Sequence, residues 1–538
     1  MVGKKSNGAF IWRRVWLALL GGMLCGCMDM PGKVPQIVND HAASARIVAT
    51  ADGPVRGVVS ARGQAFLGVP FAAPPVGELR FAPPAPAIPW RGVRSADRIG
   101  PACPQPALPV AGNSAEDCLT LNIYAPHNAG KGGVFPVMVW IYGGALELGS
   151  NGQYDPSVLA ERQGVIVVAP NYRTGALGFL AHPALRGPGE GNYGVLDQQA
   201  ALRWVKRNIA AFGGDADNVT LFGESAGALS TCVHLLSPGS RGLFQRAILQ
   251  SDSCAQPDTS LPRAEAEAGG LVMARDLGCG DERTALACLR RVPAKKLYQA
   301  TSHRRGNSGR DGWAPMTGGD VLPEPPYQAF AAGKGAPVPV LMGSNRDEGR
   351  LFANFKAFTF AMSHRRGYED AVARALPGDI APVLKTYADV AARSYYQAFA
   401  DIVTDSHFAC PILTMHRLLG GRAAFYAYEF DDPHAPMSLP RAPFTPAMGA
   451  YHAAEIAYVF QRPWALADPR DFDARQQDLA ARIQQAWGTF AHTGQPAAMP
   501  AWPVFDGARP YALAVQHTGF VEDFALRHRC AFWNARGY

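Results

Sequence analysis

One serine stands between two glycines in the segment Gly223-Glu224-Ser225-Ala226-Gly227. Residues 219–221 before it have the composition of a strand, and residues 228–233 after it have that of a helix. An abrupt turn from strand to helix brings the backbone on either side of the serine into close contact, which glycine tolerates because it has no Cβ. Backbone N–H groups at the helix start then face any negative charge that develops beside the hydroxyl. The pattern predicts that Ser225 is a nucleophile.

The serine needs a partner that accepts a proton. A serine hydroxyl is a weak nucleophile at neutral pH, so a base must remove its proton and later protonate the leaving group. Histidine suits this task because its pKa lies near physiological pH, and the chain contains 13 histidines. A carboxylate must also hold the imidazole in the correct tautomer and stabilise its cation. The residue types alone therefore predict a serine hydrolase and leave its base and acid open.

The surrounding sequence predicts how such a serine is held. Continuous apolar, β-branched runs at 134–142 and 165–169 indicate fully buried parallel strands, and 198–212 has a helical pattern. Strand and helix patterns alternate, which predicts an α/β fold with a doubly wound, mostly parallel central sheet. The 538 residues, 48% of them hydrophobic, are enough for one large core.

Several segments, in a fixed order, resemble one known family. The segment Glu116-Asp117-Cys118-Leu119-Thr120-Leu121-Asn122-Ile123-Tyr124-Ala125-Pro126 and the segment around Ser225 resemble the two signatures of the type-B carboxylesterases. Further matches lie at 68–72, 74–77, 79–81, 171–175, 191–194, 343–349 and 530–534. The resemblance extends from about Val48 to Asn534 and implies an α/β-hydrolase fold with helical insertions. It also implies a serine carboxylesterase that acts through an acyl-enzyme.

The resemblance assigns the missing catalytic partners. His452 stands where the family carries its base, and it follows Ser225 by the long interval that the order serine, acid, histidine requires. The implied acid is Glu348, at the second position of Asp347-Glu348-Gly349, with Asp347 as its neighbouring rival. The carboxylate raises the pKa of His452 and burial lowers it, so we expect a pKa within about one unit of 6.5.

An oxyanion hole is implied as well. Its donors are the backbone N–H groups of Gly144, Ala145 and Ala226, which stabilise the negative oxygen of a tetrahedral intermediate. Many relatives have a third glycine at the position of Ala145, but alanine keeps the N–H. Glu224 and Ser251 resemble the family's auxiliary acid and serine near the base. For Glu224 the alternative is a cap or a packed polar residue, and Ser251 is not followed by the family's usual glycine.

The first 27 residues have the pattern of an export signal. Four basic residues precede a short apolar run at 15–24, which is too short to span a membrane comfortably. The segment Leu24-Cys25-Gly26-Cys27 resembles a bacterial lipoprotein box, so Cys27 is the lipidation candidate; ordinary cleavage nearby and a retained anchor are the alternatives. Residues 28–45 then form an N-terminal tether, and 46–538 form a single catalytic domain. This predicts a periplasmic or outer-membrane-anchored protein in a bacterium, and otherwise a secreted one.

Ten cysteines in an exported chain favour disulfide bonds. The family settings imply three bridges: Cys103–Cys118, Cys279–Cys288 and Cys410–Cys530. Cys232 and Cys254 are left over, and we interpret them as free buried thiols, with a fourth bridge as the alternative. No Cys/His cluster has zinc spacing, and we expect no metal or other cofactor.

Charge excludes a nucleic-acid partner. The formal net charge is +7, and loss of the four basic residues of the signal leaves about +3, without the clustering that nucleic acids require.

Arg173 and Asp197 are interpreted as a structural ion pair under the sheet.

The expected partner is a small-molecule ester. Residues 104–117 contain no aromatic side chain, whereas the cholinesterases of the family hold their cationic substrate with a tryptophan in this loop. We therefore expect short-to-medium or bulky non-choline esters. The alternatives are a lipase-like relative acting on long acyl chains, a detoxifying esterase for one bulky ester and, remotely, a non-catalytic adhesion relative.

Overall fold

A large sheet with helices packed against it forms the core of the protein. The computed structural model describes residues 44–106, 113–256, 259–300, 313–357, 362–376, 378–516 and 519–538, so the predicted signal and Cys27 lie outside the described residues. In these ranges the main sheet has twelve strands, and β10 and β11 form a separate pair. The strands are β1 Ser44–Thr50, β2 Gly53–Ser60, β3 Gly63–Pro70, β4 Arg94–Ser95, β5 Thr120–Ala125, β6 Phe135–Ile141, β7 Ile166–Pro170, β8 Gly214–Glu224, β9 Arg246–Gln250, β10 Leu261–Pro262, β11 Met316–Thr317, β12 Val340–Asn345, β13 Phe425–Asp431 and β14 Tyr511–Ala514.

The sheet is mostly parallel. Its strands lie in the order β1-β2-β3-β5-β7-β6-β8-β9-β12-β13-β14, with β4 beside β2. Neighbours from β7 to β14 are parallel, whereas β1, β2, β3, β5 and β7 pair in antiparallel fashion. Strands β6 and β7 are buried on both faces almost throughout, which explains their unbroken apolar sequences. The predicted α/β sheet is confirmed.

Helices connect the strands. The α-helices of the described ranges are Ser157–Gln163, Gly175–Phe179, Tyr193–Asn208, Ala226–Leu236, Arg263–Asp276, Ala285–Arg291, Ala294–Ala300, Pro326–Ala331, Gly349–Ala357, Arg365–Ala375, Ala381–Thr386, Ala388–Ala391, Tyr395–Val403, Cys410–Leu419, Ile456–Phe460, Ala474–Thr493, Phe524–Arg527 and Cys530–Asn534. A π-helical turn, Thr404–Ala409, joins two of them.

The helix predicted at 198–212 begins earlier in the structure. It covers Tyr193–Asn208 and continues as the 3₁₀ turn Ile209–Phe212. Gly194 lies in its first turn and weakens the helical pattern of the sequence. A Cβ at Gly194 would lie 2.5 Å from the carbonyl oxygen of Arg173, so close packing requires glycine there.

The carboxyl ends of four neighbouring parallel strands meet at one edge of the sheet. These strands are β6, β8, β9 and β12, which lie side by side. The chain leaves them at Tyr142, Ser225, Ser251 and Arg346. Sheet order therefore brings together segments that are far apart in sequence.

Four disulfide bonds close loops of the described chain: Cys103–Cys118, Cys232–Cys254, Cys279–Cys288 and Cys410–Cys530. Our interpretation of Cys232 and Cys254 as free thiols is wrong. Cys232 lies in the helix after Ser225 and Cys254 follows β9, and parallel pairing of β8 with β9 brings their Cα atoms to 5.5 Å.

Arg173 and Asp197 form a buried ion pair. The Arg173 Nε and Nη2 atoms lie 2.8 and 2.7 Å from the two carboxylate oxygens, and both residues are almost fully buried. The Arg173 backbone N–H also donates to Asp197, at 3.0 Å. Two parallel charge-assisted hydrogen bonds compensate for the loss of hydration.

Candidate active site

Ser225 occupies a strained turn between β8 and the helix Ala226–Leu236. Its φ and ψ are 55° and −129°, a conformation that residues with a side chain rarely adopt. A Cβ on Gly223 would lie 2.5 Å from the carbonyl of Gly227, and a Cβ on Gly227 would lie 1.9 Å from the carbonyl oxygen of Ile141. Both glycines are therefore required, and the turn leaves the Ser225 side chain partly exposed.

His452 and Glu348 form a close pair at the same edge of the sheet. The Nδ1 atom of His452 lies 2.6 Å from Oε2 of Glu348, which is fully buried. The other oxygen of Glu348 accepts the backbone N–H of Asn345 at 2.7 Å. This second contact fixes the carboxylate plane, and because a carboxylate only accepts, Nδ1 carries the proton of the neutral imidazole and Nε2 is left for another partner.

The neighbouring acid, Asp347, faces a different group. Its carboxylate lies 2.9 Å from the Arg350 guanidinium and accepts the backbone N–H of Ala450 at 3.0 Å. Burial raises the pKa of Asp347, and Arg350 opposes this effect. Asp347 thus anchors the loop that leads to His452, while Glu348 contacts the imidazole.

The second imidazole nitrogen faces Glu224. Nε2 of His452 lies 3.2 Å from Oε1 of Glu224, so the ring stands between two carboxylates. Among the described contacts, the Ser225 hydroxyl makes no hydrogen bond to His452. Hydrogen bonds between catalytic groups are often long in the absence of substrate and tighten when it binds.

Two phenylalanines hold the imidazole plane. The rings of Phe352 and Phe408 have their centroids 5.1 and 4.9 Å from that of His452. Phe352 belongs to the helix that follows Glu348, and Phe408 to the π-helical turn. The ring of His452 is therefore held by packing as well as by its carboxylate partners.

A third buried carboxylate, Glu455, lies behind the pair. Its Oε2 accepts from the Asn345 side chain at 2.6 Å, and its Oε1 accepts from the Gln250 side chain at 3.0 Å. Glu455 is not among the residues predicted from the sequence. The available signal was its position three residues after His452, on the turn that leads into the helix Ile456–Phe460.

The carboxylates decide the proton affinity of His452. Burial lowers its pKa, but Glu224, Glu348 and Glu455 outweigh burial and raise it to about 9. Burial raises the pKa of Glu224 well above its ordinary value, and the His452 cation opposes this effect. Burial and the charge of Glu348 raise the pKa of Glu455. Our expectation of a His452 pKa near 6.5 is wrong because it counted only one of the three carboxylates.

The loop after β6 lies beside Ser225. A Cβ on Gly143 would lie 2.9 Å from the Cβ of Ser225. In the described chain, the backbone N–H groups of Gly144 and Ala145 donate to no protein acceptor. Ala226 begins its helix and so has no intrahelical acceptor. Three free donors thus come from the segments where the sequence predicts an oxyanion hole.

Ser251 is fully buried at the end of β9. Its backbone N–H donates to the Gly343 carbonyl at 2.8 Å, and its φ is 56°. Its hydroxyl has no hydrogen-bond partner in the described part of the chain. The preceding residue, Gln250, has the closer connection to the site, because its carbonyl accepts the Ser225 N–H at 2.9 Å.

The sequence profile described as "Carboxylesterase family" matches residues 44–533. The chain belongs to the carboxylesterase family. It is 35% identical to an acetylcholinesterase of Bungarus fasciatus over 564 aligned residues, covering 96% of this chain and 89% of the relative. It is also 38% identical to a fumonisin B1 esterase of Sphingopyxis macrogoltabida over 488 residues, covering 85% of this carboxylesterase and 84% of the relative.

This carboxylesterase therefore has an α/β-hydrolase fold and is a serine hydrolase of small-molecule carboxylic esters. Its four disulfide bonds are those of an exported protein. Within the described ranges, His, Cys, Asp and Glu residues form no group suited to a metal ion. No helix in those ranges has the length and apolar character to cross a membrane.

Proposed function

We propose that Ser225, His452 and Glu348 are the catalytic triad of this esterase. The observation that carries the proposal is the 2.6 Å contact between His452 and Glu348, at the sheet edge where Ser225 occupies its strained turn. Glu348 holds Nδ1 protonated, so Nε2 is the nitrogen that takes a proton. Glu224 precedes Ser225 directly, and its carboxylate contacts Nε2, so Nε2 lies near the turn.

In the first half-reaction, the Ser225 Oγ bonds to the ester carbonyl carbon while its proton passes to Nε2 of His452. The carbonyl oxygen becomes negative and accepts from the N–H groups of Gly144, Ala145 and Ala226. The C–O bond to the alcohol then breaks, and the leaving oxygen takes the proton from Nε2. In the second half-reaction, water attacks the acyl carbon of the acyl-enzyme while Nε2 of His452 takes its proton. The bond to Oγ then breaks, Nε2 returns the proton to Ser225, and the carboxylic acid is released.

Glu224 acts as the auxiliary acid in this proposal. A carboxylate 3.2 Å from Nε2 stabilises the imidazolium that forms in both half-reactions. We assign no proton transfer to Ser251, whose hydroxyl is buried without a partner in the described chain.

The substrate class we propose is a dissolved, short-to-medium or bulky ester without choline. The two relatives named above are a cholinesterase and an esterase of another compound, so family membership alone leaves both classes open. Residues 104–117 contain no aromatic side chain, and a cation–π site for choline needs an aromatic ring, so the sequence favours esters without choline.

A chain-length series of nitrophenyl esters, with acetylthiocholine as a separate substrate, tests this proposal. We expect the highest kcat/KM on dissolved short or medium esters and little turnover of acetylthiocholine. Ser225→Ala should lose about 10⁴–10⁶ in turnover while keeping its fold. An organophosphorus reagent should label Ser225 alone, as located by mass spectrometry. Full activity of Ser225→Ala refutes the triad, and a preference for dispersed long-chain esters would establish the lipase-like alternative.

We further propose that residues 1–27 direct export, that 28–45 form a tether whose last two residues already belong to β1, and that Cys27 carries the lipid. The basic and apolar pattern of the signal supports this assignment. Labelling of the bacterial protein with a palmitate analogue should be lost in Cys27→Ser and kept in Cys25→Ser. Absence of label from the wild-type protein would favour ordinary cleavage.

A further inference from the structure

The loop that supplies two oxyanion donors, residues 142–149, has an unusual backbone. Gly144 and Gly149 have φ values of 110° and 111°, and Ala145 and Leu146 have φ values of 57° and 59°. Residues with a Cβ rarely adopt such angles, so the conformations of Ala145 and Leu146 are unfavourable by themselves. Contacts from outside the loop must therefore impose its shape.

Gln105 makes such a contact at the end of the loop. Its side-chain Nε2 donates to the Gly149 carbonyl at 2.8 Å, and its Oε1 accepts the Gly149 N–H at 2.9 Å. This is a paired amide contact that satisfies both backbone groups of one residue. Gln105 is buried, with 3% of its surface exposed, so water does not compete for these hydrogen bonds.

Gly149 packs against the beginning of the loop, so a contact that fixes Gly149 also restrains residues 142 and 143. A Cβ there would lie 2.5 Å from the Tyr142 ring and 2.7 Å from the Gly143 carbonyl oxygen, so the two ends of the loop are in close contact. The Tyr172 hydroxyl donates to the Tyr142 carbonyl at 2.8 Å, and the two tyrosine rings stack with centroids 4.4 Å apart. Gly144 and Ala145 lie between these anchors.

Gln105 is itself held by a covalent loop. It follows Cys103 by two residues, inside the segment closed by the Cys103–Cys118 bridge. Its Nε2 also donates to the Cys103 carbonyl, at 3.1 Å. The disulfide loop therefore reaches the oxyanion loop through the Gln105 side chain.

We propose that Gln105 is a positioning residue of the oxyanion hole, acting through its paired contact with Gly149. This inference rests on the proposed function, since it assigns the Gly144 and Ala145 N–H groups to the reacting oxygen. Gln105 touches no substrate. Its loss allows the loop to relax and moves two donors away from the developing charge.

The test compares Gln105→Ala and Gln105→Glu with Gln64→Ala. Gln64 is the matched control because it is also 3% exposed and its amide also binds backbone carbonyls, those of Pro126, His127 and Ala129. Gln105→Glu keeps the volume and the acceptor; when ionised it loses the donor and adds a negative charge, and when protonated it regains a donor. The measurements are kcat and KM on nitrophenyl acetate, the inhibition constant of an aryl trifluoromethyl ketone, and the melting temperature.

We expect both Gln105 variants to lose about 10- to 100-fold in kcat, less than the 10²–10³ that follows complete removal of one donor. The trifluoromethyl ketone forms an adduct with a negative oxygen, so its inhibition constant should rise by the same factor while KM changes little. Gln64→Ala should change only the melting temperature. At lower pH a protonated glutamic acid can donate to Gly149, so the activity of Gln105→Glu relative to the wild type should rise.

The outcomes separate this inference from the proposed triad. If Ser225→Ala is inactive but the Gln105 variants match Gln64→Ala in kcat and inhibition, Gln105 is only structural and the inference is wrong. If Ser225→Ala keeps full activity, the proposed function fails first. Should Gln105→Ala not fold, Gln105→Glu decides, and a ketone affinity unchanged in that variant would overturn the role.

Discussion

Replacement of Glu224 by glutamine should lower the pKa that controls activity. In the proposed mechanism Ser225 is activated only while Nε2 of His452 is unprotonated, so kcat/KM should rise with pH up to the His452 pKa of about 9. Glu224 lies 3.2 Å from Nε2 and raises that pKa when it is ionised. Glutamine has the same shape and no charge, so Glu224→Gln removes this effect and leaves the packing.

The size of the shift follows from the geometry. Two unit charges 3.2 Å apart interact by about 1 kcal/mol at the dielectric constant of water and by about 5 kcal/mol at an effective value of about 20. One pKa unit corresponds to about 1.4 kcal/mol, so the expected decrease is about one to four units. Rates at a single pH are a poor test because two effects oppose each other. A His452 of lower pKa is a weaker base, which slows the reaction, but a larger fraction of it is unprotonated at neutral pH, which speeds it.

The assay is therefore the full pH profile of kcat/KM on nitrophenyl acetate, from pH 5 to 10. The control is Glu161→Gln, because Glu161 also lies 3.2 Å from an imidazole nitrogen, that of His127, but this pair is well exposed to solvent. We expect the inflection to move down by at least about one unit in Glu224→Gln and to stay in place in Glu161→Gln. An unchanged or raised inflection in Glu224→Gln would refute the argument, as would an equal shift in the control.

Three further predictions concern the acid and the supports of the fold. Glu348→Gln should lose about 10⁴ in kcat because it favours the wrong tautomer, whereas Asp347→Asn should lose less than about tenfold in the same ester assay; the reverse order would show that the acid is misassigned. Joint replacement of Cys232 and Cys254 by alanine should lower the free energy of unfolding by about 3 kcal/mol, from the 22-residue separation, and denaturant titration that finds no loss would contradict this bridge. His528 is buried between two carboxylates, and although burial lowers its pKa, they raise it to about 10. Its ionic stabilisation is therefore fully present below pH 6.5 and disappears as pH rises through 10. His528→Gln should lower the free energy of unfolding by about 3–5 kcal/mol at pH 6 and by less at high pH, as measured by denaturant titration. Equal losses at both ends of the pH range would exclude an ionic cause.

Local constraints made the turn at Ser225 predictable. Gly223 and Gly227 flank Ser225 because the turn leaves no room for a Cβ on either side. That requirement acts over five residues and is visible as a sequence pattern. The strands β6 and β7 were predictable for a similar reason, since burial on both faces demands unbroken apolar runs.

The buried polar groups behind the proposed catalytic residues were not predictable in this way. Glu455 and Gln250 reach the triad through hydrogen bonds that depend on how β9 and β12 pair. The Cys232–Cys254 bridge likewise depends on the pairing of β8 with β9. Neither residue type nor spacing specifies such contacts, because they join segments whose distance is set by the sheet order.

The sequence by itself determined the fold class, and through motif and family resemblance it supplied the proposed nucleophile, base, acid and oxyanion donors. Only the tertiary structure decided which charges surround the base. His452, Glu224, Glu348 and Glu455 come from three separate segments, and the pKa of about 9 is the net result of burial and of charges that meet only after folding. Electrostatic energy depends on distance in space, and distance along the chain does not measure it.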